Sequence, residues 1–222
     1  MKLKSLILTV SIGVSMTSCE SEDLMYSCDK NVDLWVKDHI KEIREMSRET
    51  WLEADAEFAL PMYRAFTFEQ RKNFWKEKFS ELKQLSWSEA EKKHIMVAET
   101  FLFSNLYILE RNQLTSDQLD TVELFLYQWK DKAKEELGWS DLLISSIIAS
   151  GEKVVDTKGT IVPLKSKVGS IVLSSSESCN CHVKSIFTCD QYTECKDVNC
   201  TGTSYGCGGF LVWPCNGICE DF

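Results

Sequence analysis

The sequence is short of the residues that interrupt helices. It has three prolines and ten glycines in 222 residues, so long helices can form wherever apolar residues recur at the right spacing. Histidine is as scarce, limited to His39, His94 and His182. No HExxH, GxSxG, Walker or GxGxxG tract occurs, which removes the usual signals of zinc proteases, serine hydrolases and nucleotide enzymes. An enzyme is disfavoured, and no cofactor or metal is implied. Positive charge is in deficit: 25 Lys and Arg against 34 Asp and Glu leave a net charge of −9. That argues against nucleic acid as the main partner, because phosphate binding needs clustered cations. It equally disfavours simple electrostatic adhesion to anionic lipid. No apolar run approaches the roughly 20 residues that span a bilayer. Finally, no cysteine lies between Cys28 and Cys179.

The first 19 residues have three parts. Lys2 and Lys4 open the chain, a short apolar run from Leu6 to Val14 follows, and Ser15, Thr17 and Ser18 lead into Cys19. This is the layout of a removable export signal. Met16-Thr17-Ser18-Cys19 resembles a bacterial lipobox, which implies lipidation of Cys19 and stable anchoring by several acyl chains. Residues 1–18 are thus read as signal peptide and 19–30 as a tether, acidic at Glu20, Glu22 and Asp23. Such an acidic tract is either a surface-export signal or a solvated linker. The expected location is the cell envelope, at the outer membrane or the cell surface.

Residues 31–150 read as a helical body. Leu34, Ile40 and Ile43 mark a first amphipathic stretch, and Trp51 to Leu60 a second that Pro61 should break. Three capping boxes follow, in which a hydroxyl and an amide or carboxylate three residues apart satisfy each other's backbone donors. They are Thr67 with Gln70, Ser88 with Glu91, and Thr115 with Gln118. Gly138 is the expected stop of the third helix, and a last short helix runs over residues 141–149. Together these predict a mainly α fold, an antiparallel bundle of four to six helices. Six of the seven tryptophans lie here, and at helical spacing they belong to the core.

Two constellations in the body match catalytic patterns in part. Glu91-x-x-His94 could supply half of a di-iron carboxylate site, but no second copy exists, so His94 is read as a surface or rim histidine. Ser80-Glu81-Leu82-Lys83 matches Ser-x-x-Lys by letters alone.

After Gly151 the composition shifts to Ser, Thr, Lys and Val. Residues 151–178 read as a linker with two short β-like runs, 160–164 and 168–173, and a polar stretch at 174–178 that is open to proteolysis. Eight cysteines then crowd residues 179–222: Cys179, Cys181, Cys189, Cys195, Cys200, Cys207, Cys215 and Cys219. Such density marks a disulfide scaffold from an oxidising compartment. Zinc is the rival, but no Cys-x-x-Cys pair occurs. Asn216-Gly217 predicts a hairpin turn, so the tail is expected to be a small disulfide-rich module containing a β-hairpin. Phe210, Leu211, Val212 and Trp213 are its expected exposed contact surface. Cys28 is left over and unassigned.

Cys179-Asn180-Cys181, then Cys189, Cys195, Cys200, Gly206-Cys207-Gly208, Trp213 and Cys215-Asn216-Gly217 resemble fulvocin C, a small cysteine-rich bacteriocin. The whole chain is similar to lipoproteins called bacteriocin fulvocin C-related. The resemblance implies an antibacterial effector, held on the membrane by its lipid anchor and directed at a target bacterium or a receptor on it. The acidic module departs from the cationic pattern of membrane-lytic peptides. Two other functions stay open: a surface binding lipoprotein whose tail is never released, and an enzyme built on an unrecognised carboxylate pair. The disulfide reading predicts that alkylation of the native protein finds the tail sulfurs blocked. Free thiols, or thiolates holding a metal, would remove the basis of the module.

Overall fold

The structure, a computed structural model, describes residues 24–27, 29–110, 114–165, 181–183, 185–187, 193–197 and 203–221. It is mainly helical, with small antiparallel strand pairs towards the C-terminus. The export signal, Cys19 and Cys28 lie outside the described residues.

Eight α-helices are found among the described residues: α1 (Lys30–Asp38), α2 (Ile40–Ile43), α3 (Arg48–Leu52), α4 (Ala56–Ala65), α5 (Phe68–Leu82), α6 (Glu89–Ser104), α7 (Ser116–Leu137) and α8 (Asp141–Ile148). The count exceeds four to six because α2 and α3 have only four and five residues, too short for a periodic signature. All three capping boxes form, at the starts of α5, α6 and α7. Gly138 ends α7 with φ 66°, the left-handed conformation a helix stop requires.

Pro61 corrects the reading of the second stretch. It sits inside α4, and the chain breaks earlier, between Leu52 and Ala56. The Asp55 backbone there bridges Lys165 instead. Leu34 is exposed, and Val36 takes the inward position on α1.

Tryptophan dominates the interior. Trp51, Trp75, Trp87, Trp129 and Trp139 are buried in one continuous core. The ring of Trp87 lies 5.6 Å from Trp139, whose ring is 5.9 Å from Trp129. Helices α6 and α7 run antiparallel, bringing His94 to Trp129 and Phe101 to Phe125.

Two stretches read as connectors are in fact packed on the body. In the tether, Tyr26 and Ser27 are buried, and the Tyr26 amide donates to Asp33 Oδ1 at 2.6 Å. In the linker, β1 (Lys153–Val154) pairs with β2 (Ile161–Val162) and buries Val154. Of the 160–164 run only Ile161–Val162 forms a strand, and its partner lies upstream. The 168–173 run lies outside the described residues.

Buried cations explain the docking. Arg48, Arg64, Arg71 and Lys78 are each at most 3% exposed. Burying a charge is expensive unless it is paired or hydrogen-bonded, and each finds chain oxygens or sulfur. Arg71 donates to Leu109 O at 2.7 Å and to Phe66 O. Arg48 pairs with Glu81 at 2.8 Å and donates to Gly151 O at 3.0 Å. Lys78 Nζ donates to Ser146 O at 2.7 Å, Ser150 O at 2.5 Å and Glu152 O at 3.2 Å. Helices α3 and α5 thus hold the end of α8 and the chain leaving it.

Burial lowers the Lys78 pKa from the usual 10.5 to about 7. The Arg48 charge acts in the same direction, while Glu152 and Glu81 oppose it. Between these two values the unfolded chain binds a proton that the folded chain has released, so stability rises with pH across that window. Denaturant unfolding from pH 7 to 10.5 should show this rise in the native chain and a flatter slope in Lys78→Met. Parallel curves for the two proteins would refute it.

Candidate functional site

The tail begins at the described residues with Cys181, whose backbone bridges Gly217. Strand β3 (Thr193–Asp197) pairs with β6 (Gly217–Asp221), and β4 (Thr203–Cys207) pairs with β5 (Trp213–Cys215), both antiparallel. Disulfides join Cys181 to Cys195 and Cys207 to Cys215, and Cys219 is disulfide-bonded as well. Cys179, Cys189 and Cys200 lie outside the described residues. Cys195 and Cys219 sit opposite each other on β3 and β6, yet Cys195 bonds Cys181.

Asn216-Gly217 is not a hairpin turn. It carries the chain from one strand pair to the other, and Asn216 Oδ1 accepts from the Val183 amide at 3.0 Å. The reversal between β4 and β5 is made by residues 208–212, including a 3-10 turn at Gly209–Leu211. Gly208 takes φ 68° there, while Phe210 and Leu211 take 55° and 57°. Positive φ is uncommon for any side chain and worst for bulky ones.

That turn points into the helical body. Phe210 is 1% exposed, Leu211 7% and Trp213 3%. The Phe210 ring lies 5.6 Å from Trp75, edge to face, and 6.3 and 6.5 Å from Phe101 and Phe125. The turn also packs on α8. Trp213 Nε1 donates to Glu123 on α7 at 3.3 Å. The expected exposed contact surface is therefore corrected: Phe210, Leu211 and Trp213 are core residues, and Val212 is half-buried. The sequence carried a signal for this. Four apolar residues in a row cannot alternate faces, which is how a segment buried on both sides reads.

Arg64 on α4 ties three parts together. Nη1 donates to Tyr26 O at 2.9 Å, and Nη2 donates to Cys215 Sγ at 3.0 Å. One buried guanidinium thus holds the N-terminal segment and the Cys207–Cys215 disulfide against the same helix.

Two hollows flank α7. One, about 460 Å³, lies between α6 and α7 and is lined by Lys93, His94, Val97, Phe125, Trp129 and Lys132 among others. The other, about 250 Å³, lies where α7 meets the tail, beside Tyr127, Ile186 and Trp213. Leu124 and Tyr127 are exposed on the ridge of α7.

His94 is not a rim histidine. It is 5% exposed and stacks on Trp129 at 4.7 Å. Its Nε2 donates to Trp129 O at 3.0 Å, and Trp129 Nε1 returns a bond to His94 O at 3.0 Å. Burial is the main cause that lowers its pKa; the Trp129 carbonyl opposes this, while the Lys132 charge lowers it and the Glu136 charge raises it. Glu91 faces elsewhere, accepting from the Ser88 amide at 2.8 Å and from Trp139 Nε1 at 3.0 Å. The two residues therefore do not converge on a metal, and no group of three potential ligands occurs among the described residues. Lys83 of the Ser-x-x-Lys letters pairs with Glu99 at 2.8 Å.

No family model, curated protein or solved structure matches the chain. Roles must therefore come from the geometry. Apolar hollows beside a rigid helix pair can hold a ligand or a partner's side chains. No described helix is long and apolar enough to cross a membrane.

Truncating Phe210 to alanine should cost about 3–5 kcal/mol, the range for a buried aromatic. Urea unfolding would measure it. A loss under about 1 kcal/mol would mean that the ring is not packed as described.

Proposed function

We propose that the chain is a lipid-anchored binding protein of the bacterial cell envelope that works intact, with its cysteine-rich tail docked on the helices. One observation carries this reading: Phe210, Leu211 and Trp213 are part of the helical core. Releasing the tail as a free peptide would return three large apolar side chains to water, each worth about 1.5–3 kcal/mol when buried. It would also open a cavity beside Trp75, Phe101 and Phe125, whose rings surround Phe210.

Other observations support the setting. Paired cysteines fit an oxidising compartment. The three-part N-terminus ending at Cys19 fits export and lipidation. The acidic balance fits a protein or small-molecule partner better than nucleic acid. The fulvocin-like order of cysteines bears on the scaffold, and one scaffold hosts unrelated activities.

The test is the state of the native protein. Mass spectrometry of membrane and medium fractions should find one chain containing both body and tail, in the membrane fraction, and Cys19→Ser should shift it to the soluble periplasm. A tail-sized fragment in the medium that kills related strains would overturn the proposal in favour of a released effector.

A further inference from the structure

We propose that the groove between α6 and α7 binds a small aromatic carboxylate that carries a hydrogen-bond donor on its ring system. This rests on the reading of the chain as a binding protein and names the class of ligand.

Three features of the groove specify three features of the ligand. The first is shape and polarity. A hollow of about 460 Å³ falls within the range of small-molecule sites, which are mostly apolar with a few placed polar groups. Its walls include Val97, Phe125 and Trp129. Phe125 is already stacked on Phe101 at 3.6 Å, and Trp129 on His94 at 4.7 Å. These rings are held rigid, and aromatic rings pack well on one another edge to face.

The second feature is His94. Its Nε2 is committed to the Trp129 carbonyl, so the neutral ring keeps its lone pair on Nδ1. No described residue donates to Nδ1, although the side chain is 5% exposed and lines the groove. Nδ1 is an acceptor that solvent reaches at the groove rather than a buried orphan, and burial of the ring favours its neutral form. The groove therefore presents one acceptor that a ligand N–H or O–H would complete.

The third feature is charge at the mouth. Lys132 lies 3.5 Å from Glu136 in a solvent-exposed pair, which contributes little. Lys93, also exposed, has no carboxylate within salt-bridge distance among the described residues. Among the lining residues, two lysines against Glu136 leave one surplus positive charge at the rim, since Glu89, which Lys93 also attracts, is paired with Lys92; the chain's net charge is −9. That local reversal of sign favours an anion and orients it with the apolar part inward.

Indole-3-acetate has all three features and serves as the probe, titrated by calorimetry into the full oxidised chain. One saturable site is expected. Two analogues separate the features: 1-methylindole-3-acetate lacks the donor and indole lacks the carboxylate. Each should bind about tenfold more weakly, the worth of one buried hydrogen bond or charge contact. Lys93→Ala should weaken indole-3-acetate about threefold and leave indole unchanged. Val97 is 50% exposed, so Val97→Trp can fill the groove without disturbing the core, and it should abolish binding with an unchanged unfolding midpoint. The proposal is overturned by no saturable binding at millimolar probe, by equal affinity for the three probes, or by undiminished binding to Val97→Trp. Mass spectrometry of the native membrane and medium fractions reads the broader proposal separately. An intact chain that ignores the probe sinks only the ligand, and a severed tail sinks only the intact-chain reading.

Discussion

The insertion of Phe210 between Trp75 and the stacked Phe101–Phe125 pair is the contact on which the relation of tail to helices depends. The turn that delivers it is strained, because Phe210 and Leu211 both adopt left-handed backbone angles. Such residues cost of order 1–3 kcal/mol each and persist only where their surroundings over-determine them. Here the surroundings are the helical core on one side and the Cys207–Cys215 bond on the other. The disulfide holds the two strands at the mouth of the turn, and the core holds its tip. Neither alone accounts for the geometry: a cross-link limits the unfolded chain, while burial selects which way the turn points.

Buried cations do for the backbone what Phe210 does for the side chains. The last turns of helices and the irregular segments that follow bring carbonyl groups that must be satisfied once water is excluded. Arg48, Arg64, Arg71 and Lys78 supply donors from the helices, reaching the carbonyls of Tyr26, Leu109, Ser146 and Gly151 among others. Each pairing settles two problems at once, the desolvated charge and the orphaned carbonyl. At Tyr26 and Gly151, residues that look like tether or linker by composition thus lie on the body, fixed by donors that are remote in sequence.

Helix α7 connects the two regions of functional interest. Phe125 lines the groove shared with α6 and also packs near Phe210, and Glu123 two residues earlier receives the Trp213 indole. A groove wall and the seat of the tail are thus built on one stretch of helix. The tail acts as a structural support of that wall rather than as an appended module.

The sequence by itself determined what depends on neighbours along the chain. Capping boxes at Thr67, Ser88 and Thr115, the stop at Gly138 and the tryptophan-rich core were all legible, because a cap or a helical period involves residues a few positions apart. The disulfide character of the tail was legible from the density of its cysteines. Tertiary structure alone decided the rest: that Pro61 lies within α4, that Cys195 bonds Cys181 and not its cross-strand neighbour Cys219, that His94 is buried against Trp129, and that Phe210 faces inward. Each of these turns on partners distant in sequence, and apolar character tells that a residue seeks cover without telling which surface provides it.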